Sequence, residues 1–191
     1  TLILGDILER HYAIIGHKAP SSGKLNLNDL SGSGRMDVLV RAINAALFIS
    51  HGIRKDTKIT LHLQGGDGPE RRILFDGGEL AGVRPDERSI AEQIKAIMKI
   101  PIPPIGQYKE VTQGIFHSGG NINDTVDFWK KENQDIIIMD ADGIDITNIS
   151  KKDKIGIILS DDSPFDDEEK KQFVDLQRVS LGKKWLQGHS C

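Results

Sequence analysis

The strongest constraint on this chain is the order in which its apolar patterns change. Strand-like runs and helix-like stretches alternate along it, and such alternation builds an α/β fold with a mostly parallel sheet. HYAIIG (11–16) reads as a first strand, followed by a polar loop with Ser21, Ser22, Gly23 and the run Ser31-Gly-Ser-Gly34. From Arg35 to His51 the pattern is helical: Met36, Leu39, Val40, Ile43, Ala46 and Leu47 fall on one face. Residues 57–63 then alternate at period two, residues 65–69 (GGDGP) turn, and residues 72–75 answer as the second arm of a hairpin. This hairpin is an antiparallel element within the sheet.

A second helix is expected to open after Val83-Arg-Pro-Asp86, with Ile90, Ala91, Ile94, Ile97 and Met98 on its buried face. Pro101, Pro103 and Pro104 end it and form the best candidate for a seam in the chain. Residues 114–116 suit a short strand and 121–131 a helix. DIIIM (135–139) reads as a buried strand with Asp142-Gly143 turning after it, and GIIL (156–159) as another. Ser163, Pro164 and Asp166 fit N-cap, N1 and N3 of a helix running to about Val174. Residues 178–181 are a last short strand, followed by the loop GKKWLQGHSC.

Composition narrows the class. Hydrophobic residues make up 38% and charged residues 28%, enough to bury a core and too ordinary for a disordered tail. No apolar run approaches the ~20 residues of a membrane helix, so no membrane association is expected. Cys191 is the one cysteine, which rules out an intrachain disulfide and points to a reducing, cytoplasmic setting. The formal net charge of −3 argues against a strong nucleic-acid binder, although residues 1–100 carry 14 Lys/Arg against 12 Asp/Glu. A local basic patch there could still hold phosphates.

The familiar motifs fail. Gly32-x-Gly34 has Asp37 where a dinucleotide loop needs its third glycine. Gly23-Lys24 lacks the rest of a phosphate loop, and Asp140-x-Asp142-Gly143-x-Asp145 reaches Lys151 where a calcium loop needs Glu. The six histidines have no metal-ligand spacing, so no metal is expected.

Three stretches carry a resemblance: NLNDLSGSGRMDVLVRAINAALFISHGIRKD (26–56), GGELAGVRPDERSIAEQIKAIM (77–98) and IILSDDSPFDDEEKKQFVDLQRVSLGKKWLQGHSC (157–191). They resemble the archaeal tRNA pseudouridine-54 N1-methyltransferases (TrmY), a SPOUT family. Residues 112–120 and 137–143 match more loosely. Ser160-Asp161-Asp162 stands where the family usually has Gly-Asp-His, and Leu181-Gly182-Lys183 where it has Leu-Gly-Pro.

The resemblance implies a single SPOUT methyltransferase domain over 11–191, with residues 1–10 as an N-terminal extension. The implied fold is α/β, a SPOUT-type sheet flanked by helices with a C-terminal trefoil knot. The family's chains continue past the cysteine with a tail that closes the knot; this sequence stops at Cys191, so either that tail is missing from these 191 residues or the cofactor site is incomplete.

The implied activity is methyl transfer from S-adenosyl-L-methionine to N1 of pseudouridine 54 in the T-loop of tRNA, by a homodimer. The alternatives are a sibling acting on rRNA and a non-catalytic RNA-binding scaffold. Carried onto this sequence, the cofactor positions are Met139, Ser160, Ser180, Leu181, Gly182, Lys183, Lys184, Trp185, Leu186 and Cys191. Arg35, Arg54, Lys55, Arg84 and Arg88 lie in or beside the two most family-like segments and are the candidates for RNA contact. Asp37 and Asp86 are the candidates for a base or base-orienting carboxylate. Each has an ordinary structural role available: Asp37 could pair with Arg41, Asp86 could cap a helix, and Arg88 could pair with Glu92.

Overall fold

The computed structural model describes residues 9–150 and 153–182. Its centre is an eight-stranded sheet built from β1 (Glu9–Pro20), β4 (Thr57–Gly65), β5 (Arg71–Asp76), β6 (Lys109–Thr112), β7 (Ile115–Gly119), β8 (Asp135–Asp145), β9 (Lys154–Ser160) and β10 (Gln177–Ser180). The order across the sheet is β10-β8-β9-β1-β4-β5-β7-β6. The first five strands in that order run parallel, and β5, β7 and β6 continue antiparallel.

The alternating side chains of the central strands bury both faces of the sheet. Ile14 points into one core with Leu39, Ile43, Ile90 and Ile94, while Ala13 and Ile15 point into the other with Val126, Trp129 and Phe165. Helices α1 (Met36–Leu47) and α2 (Glu87–Ile97) cover the first face. Helix α3 (Ile122–Lys131) and the short α4 (Asp167–Gln172) flank the second. Trp129 lies flat enough on β9 that a Cβ on Gly156 would meet its ring at 2.4 Å, so glycine is required there. At the edge of the ring, His11 accepts from Trp129 Nε1 at 3.3 Å and faces Thr60 Oγ1 at 2.8 Å. Burial first, and the charge of Lys58 second, lower the pKa of His11 to about 3.

Several helix ends are satisfied by side chains. Asp86 caps α2 by accepting from the Ser89 amide at 2.7 Å. The far end of α2 is held by the buried Arg71, whose guanidinium donates to the carbonyls of Ile97 and Ile100, each at 2.6 Å. Asn121 and Asp124 form a reciprocal capping box on α3.

Five expectations need correction. The first helix ends at Leu47, not His51, because the Leu47 carbonyl is taken at 2.8 Å by the Arg54 amide arriving from a small hairpin, β2 (Phe48–Ile49) with β3 (Gly52–Ile53). His51 therefore sits in a turn. The strand expected over 114–116 is one arm of the β6–β7 hairpin, which turns at Gly114 with φ of 79°. The Asp142-Gly143 turn does not end β8. Residues 139–143 bulge out between the partners of Arg178 and Val179, and β8 resumes to Asp145. The cap of α4 is Asp166, three residues after Ser163, because Asp166 and Glu169 exchange hydrogen bonds across the first turn. The proline cluster is not a seam: Pro103 accepts from Gly119, and Ile105 bridges to the same glycine.

Candidate cofactor and RNA site

In a parallel sheet the loops beyond the carboxyl ends of the strands are the natural place for a ligand. Register places Ser160 at the end of β9 opposite Ile15, and Ser180 at the end of β10 opposite Asp145. Met139 leads into the bulge of β8, half-buried against the main core. The fold therefore brings Met139, Ser160, Ser180, Leu181 and Gly182 to one edge. Lys183, Lys184, Trp185, Leu186 and Cys191 lie outside the described residues.

The hydroxyls on this edge are spent on shaping loops. Ser160 donates to the Ser163 carbonyl, and Ser180 donates to Gly182 O at 2.7 Å while accepting from Gly182 N at 3.0 Å. Gly182 has φ of 122°, with open space where a Cβ would stand, and Leu181 beside it is exposed. What the edge presents is therefore backbone and apolar surface. The bulge is held by Arg178, which reaches Asp140 Oδ2 at 2.6 and 3.0 Å, while Asp140 Oδ1 accepts from the Asp142 amide at 2.9 Å.

The turn after β9 carries two consecutive carboxylates that face different ways. Asp161 turns to His17, at the far end of β1, with its Oδ1 2.9 Å from His17 Nδ1 and its Oδ2 accepting the His17 amide at 3.0 Å. His17 Nε2 meets Glu169 of α4 at 2.9 Å. A cleft of about 270 Å³ opens here, lined by His17, Gln64, Glu70, Asn121 and Asp166 among others.

Asp162 turns instead to Arg35, whose Nη1 donates to it at 2.6 Å. Arg35 also donates to Asp37 at 3.0 and 3.1 Å, and Arg41 reaches Asp37 at 3.6 Å. Burial alone would raise the pKa of Asp37, but the hydrogen bonds and charge of Arg35 outweigh it and lower it. The Asp37 hydrogen bond raises the already high pKa of Arg35. Arg35 stands in the left-handed conformation (φ 61°, ψ 35°) ahead of α1. Gly34 allows the approach, since a Cβ there would meet Lys18 O at 2.2 Å.

The remaining candidates divide. Arg84 and Arg88 are exposed at the start of α2, and Arg88 touches Asn28 at 3.4 Å and Glu92 at 3.5 Å. Asn28 belongs to the loop that Arg35 closes, so these three arginines share a neighbourhood. Arg54 and Lys55 precede β4, whose first residue pairs with Arg10, and so sit at the opposite edge of the sheet from Ser160. Asp86 is exposed and engaged as the α2 cap.

A family model described as "Putative SAM-dependent RNA methyltransferase" matches residues 9–191. The chain belongs to this family. A protein of Methanospirillum hungatei named tRNA (pseudouridine(54)-N(1))-methyltransferase is 35% identical over 173 residues, covering 90% of this chain and 86% of its own length. Its namesakes in Methanococcoides burtonii and Methanosarcina mazei are 34% and 36% identical over 187 residues, each covering 95% of this chain, and 91% and 86% of their own lengths. A crystal structure of Archaeoglobus fulgidus Nep1 bound to S-adenosylhomocysteine shares the fold with a TM-score of 0.61 at 10% identity, over 95% of this chain and 92% of that one.

The family is SAM-dependent, and the residues at the edge fit that group. SAM carries an apolar-faced adenine, several hydrogen-bond donors and a positive sulfonium. The open Leu181–Gly182 backbone suits the first. For the rest there is Asp162, whose Oδ1 is a buried acceptor with no partner among the described residues. Among those residues no group of His, Cys, Asp and Glu is arranged to hold a metal, and no helix is long and apolar enough to cross a membrane.

Sequence reasoning passed over His17, Asp161 and Glu169. The available signal was a polar residue just beyond each of two apolar strands, His17 directly after HYAIIG and Asp161 two residues after GIIL. It becomes legible only once β1 and β9 are known to be neighbours.

Proposed function

We propose that this protein transfers the methyl group of S-adenosyl-L-methionine to N1 of pseudouridine 54 in the T-loop of tRNA. The observation that carries this reading is the match to relatives named for that reaction over nine-tenths or more of this chain. The strand-end edge described above supports it. SAM supplies an already activated methyl, so the protein's task is to hold the acceptor in line and exclude water.

In this reading Met139, Ser160 and Ser180–Gly182, with the loop that follows through Cys191, line the cofactor pocket. Arg35, Arg84 and Arg88 meet the RNA near it, and Arg54 and Lys55 meet it at the other edge of the sheet. Asp37 orients Arg35; its lowered pKa makes it a weak proton acceptor. Asp86 is the carboxylate we assign to take the N1 proton, alongside its role as the α2 cap. The domain spans 11–191, works in the cytoplasm as a homodimer, and wraps its C-terminal segment into a trefoil knot.

The test is methyl transfer from labelled SAM to a T-loop hairpin carrying pseudouridine, beside the same hairpin carrying uridine. Uridine offers no N–H at that ring position, so product is expected only from the pseudouridine hairpin. Equal labelling of both hairpins, or of neither, would overturn the reading.

A further inference from the structure

The clasp made by His17, Asp161 and Glu169 has no assigned role in the methyl transfer proposed for the cofactor edge. Its members are drawn from β1, the turn after β9, and α4, and the two carboxylates are almost fully buried. Both carboxylate oxygens of Asp161 are committed. Oδ2 accepts the His17 amide at 3.0 Å, while Oδ1 faces His17 Nδ1 at 2.9 Å and accepts the Ser163 amide at 3.0 Å. The Asp161 amide in turn donates to Ile15 O at 3.1 Å. Glu169 meets His17 Nε2 with both oxygens, at 2.9 and 3.0 Å, and its Oε2 also accepts the Asp166 amide that opens α4.

We infer that His17 is a positioning residue for the methyl transfer: with Asp161 and Glu169 it fixes the turn 160–163, and through that turn holds Ser160 and Asp162 at the cofactor edge. The inference rests on the SAM-dependent reading of that edge.

Both ring nitrogens face carboxylates, so both must donate, which makes the ring an imidazolium. Burial alone would lower its pKa; the hydrogen bonds and charges of Asp161 and Glu169 override that and push it up to about 10. Glu70, Asp166 and Glu168 line the adjoining cleft and add to the same negative field. The charge on His17 is therefore constant through neutral pH, and the clasp is a strut rather than a switch.

Its mechanical effect falls on one short turn. Asp161 draws that turn toward α4, and Asp162, the next residue, draws it toward α1 through Arg35. With both pulls in place the turn has one position. Without the imidazolium, Asp161 and Glu169 become buried carboxylates without their cation, and the turn must shift to bring them to water. β1 and β9 remain zipped from Glu9↔Lys154 to Ile15↔Ser160, so the shift begins where Ser160 begins.

The experiment compares the full 191-residue chain with its His17→Gln and Asp161→Asn variants. Amide hydrogen exchange reads the turn, and calorimetric titration with S-adenosylhomocysteine reads the pocket. Exchange at Asp161 and Ser163 is expected to quicken in both variants while amides inside β1 and β9 keep their protection. Affinity for S-adenosylhomocysteine is expected to fall by roughly tenfold or more, the scale on which small misplacements act. KM for SAM should rise with it while KM for the RNA hairpin stays put. Because the two residues act as one unit, the double variant should lose little more than either single one.

Unchanged exchange at 161 and 163 would overturn the clasp. So would faster exchange with unchanged S-adenosylhomocysteine affinity, which would make the clasp merely structural. A wild-type chain that binds no S-adenosylhomocysteine would instead overturn the methyltransferase reading, and the clasp's role in it.

Discussion

Asp162 Oδ2 lies 2.6 Å from Arg35 Nη1, which fastens the turn after β9 to the residue that opens α1. The same guanidinium is gripped by Asp37, so two carboxylates share one cation. Asp37 is the more buried of the two, with 10% of its side chain exposed against 20% for Asp162. Removing it leaves Arg35 and Arg41 facing each other without their shared partner. Asp37→Ala is therefore expected to destabilise the fold by about 3 kcal/mol, and Asp162→Ala by about 1–2 kcal/mol, since Arg35 then keeps Asp37. Urea unfolding of the two variants checks both the size and the order.

Three histidines give stability opposite dependences on pH. His17 has its pKa raised to about 10, so its contribution is complete below about pH 6.5, the ordinary value for the unfolded chain, and is lost as pH rises through 10. His11 and His62 are lowered to about 3, in each case by burial first, with neighbouring Lys58 and Arg72 adding to it. Their contribution is complete above about pH 6.5 and is lost as pH falls toward 3. Stability is thus expected to peak near neutrality and fall on both sides. His17→Gln should flatten the alkaline fall and leave the acid one, where Asp37 and Asp56, with lowered pKa values, act in the same direction as the buried histidines. Melting temperature against pH for the two proteins is the measurement.

Much of this fold was legible because its pattern is local. The Ile90–Ala91–Ile94–Ile97 stripe, the 57–75 hairpin and the strands at 135 and 156 can be read from local pattern, and all are present, although β8 runs past its expected end. The misplaced boundaries depend on groups distant in sequence or on competition between caps. Nothing near Leu47 announces that its carbonyl will meet Arg54, and Asp166 displaces Ser163 as a cap only because Glu169 completes the box while Asp161 takes the Ser163 amide. The site was partly legible for the same reason. The ordinary pairings of Asp37 with Arg41 and Arg88 with Glu92, each four residues apart, are present. The Arg35–Asp162 and His17–Asp161 contacts span 127 and 144 residues, and only the strand order brings them together.

Asp86 offers a clean separation of two roles. Its carboxylate caps α2 through the Ser89 amide, a task that asparagine performs equally well. Asp86→Asn should leave stability nearly unchanged, whereas Asp86→Ala should cost about 1 kcal/mol. If Asp86 takes the N1 proton, both variants lose kcat to the same extent despite their different stabilities. Thermal melts beside single-turnover methylation of the pseudouridine hairpin make the comparison. A methylation rate that follows stability alone would leave Asp86 as a cap.

The arginines near the cofactor edge should differ in how they hold RNA. Arg84 is exposed, and among the described residues Arg88 meets only an exposed glutamate at 3.5 Å and an amide at 3.4 Å, so either can turn to a phosphate at little cost. Each alanine substitution there is expected to weaken hairpin binding evenly across sequences and to reduce the salt slope by about one. Arg35 is different because its charge is already balanced by Asp37 and Asp162. Arg35→Ala removes one cation and leaves two carboxylates facing the RNA, so it should weaken binding more than either Arg84→Ala or Arg88→Ala. In the Asp162→Asn background one of those carboxylates is already neutral, and the further loss on removing Arg35 should be smaller. Hairpin binding measured between low and physiological salt for these variants tests the ranking, and equal losses from Arg35 and Arg88 would show that the two carboxylates do not face the bound RNA.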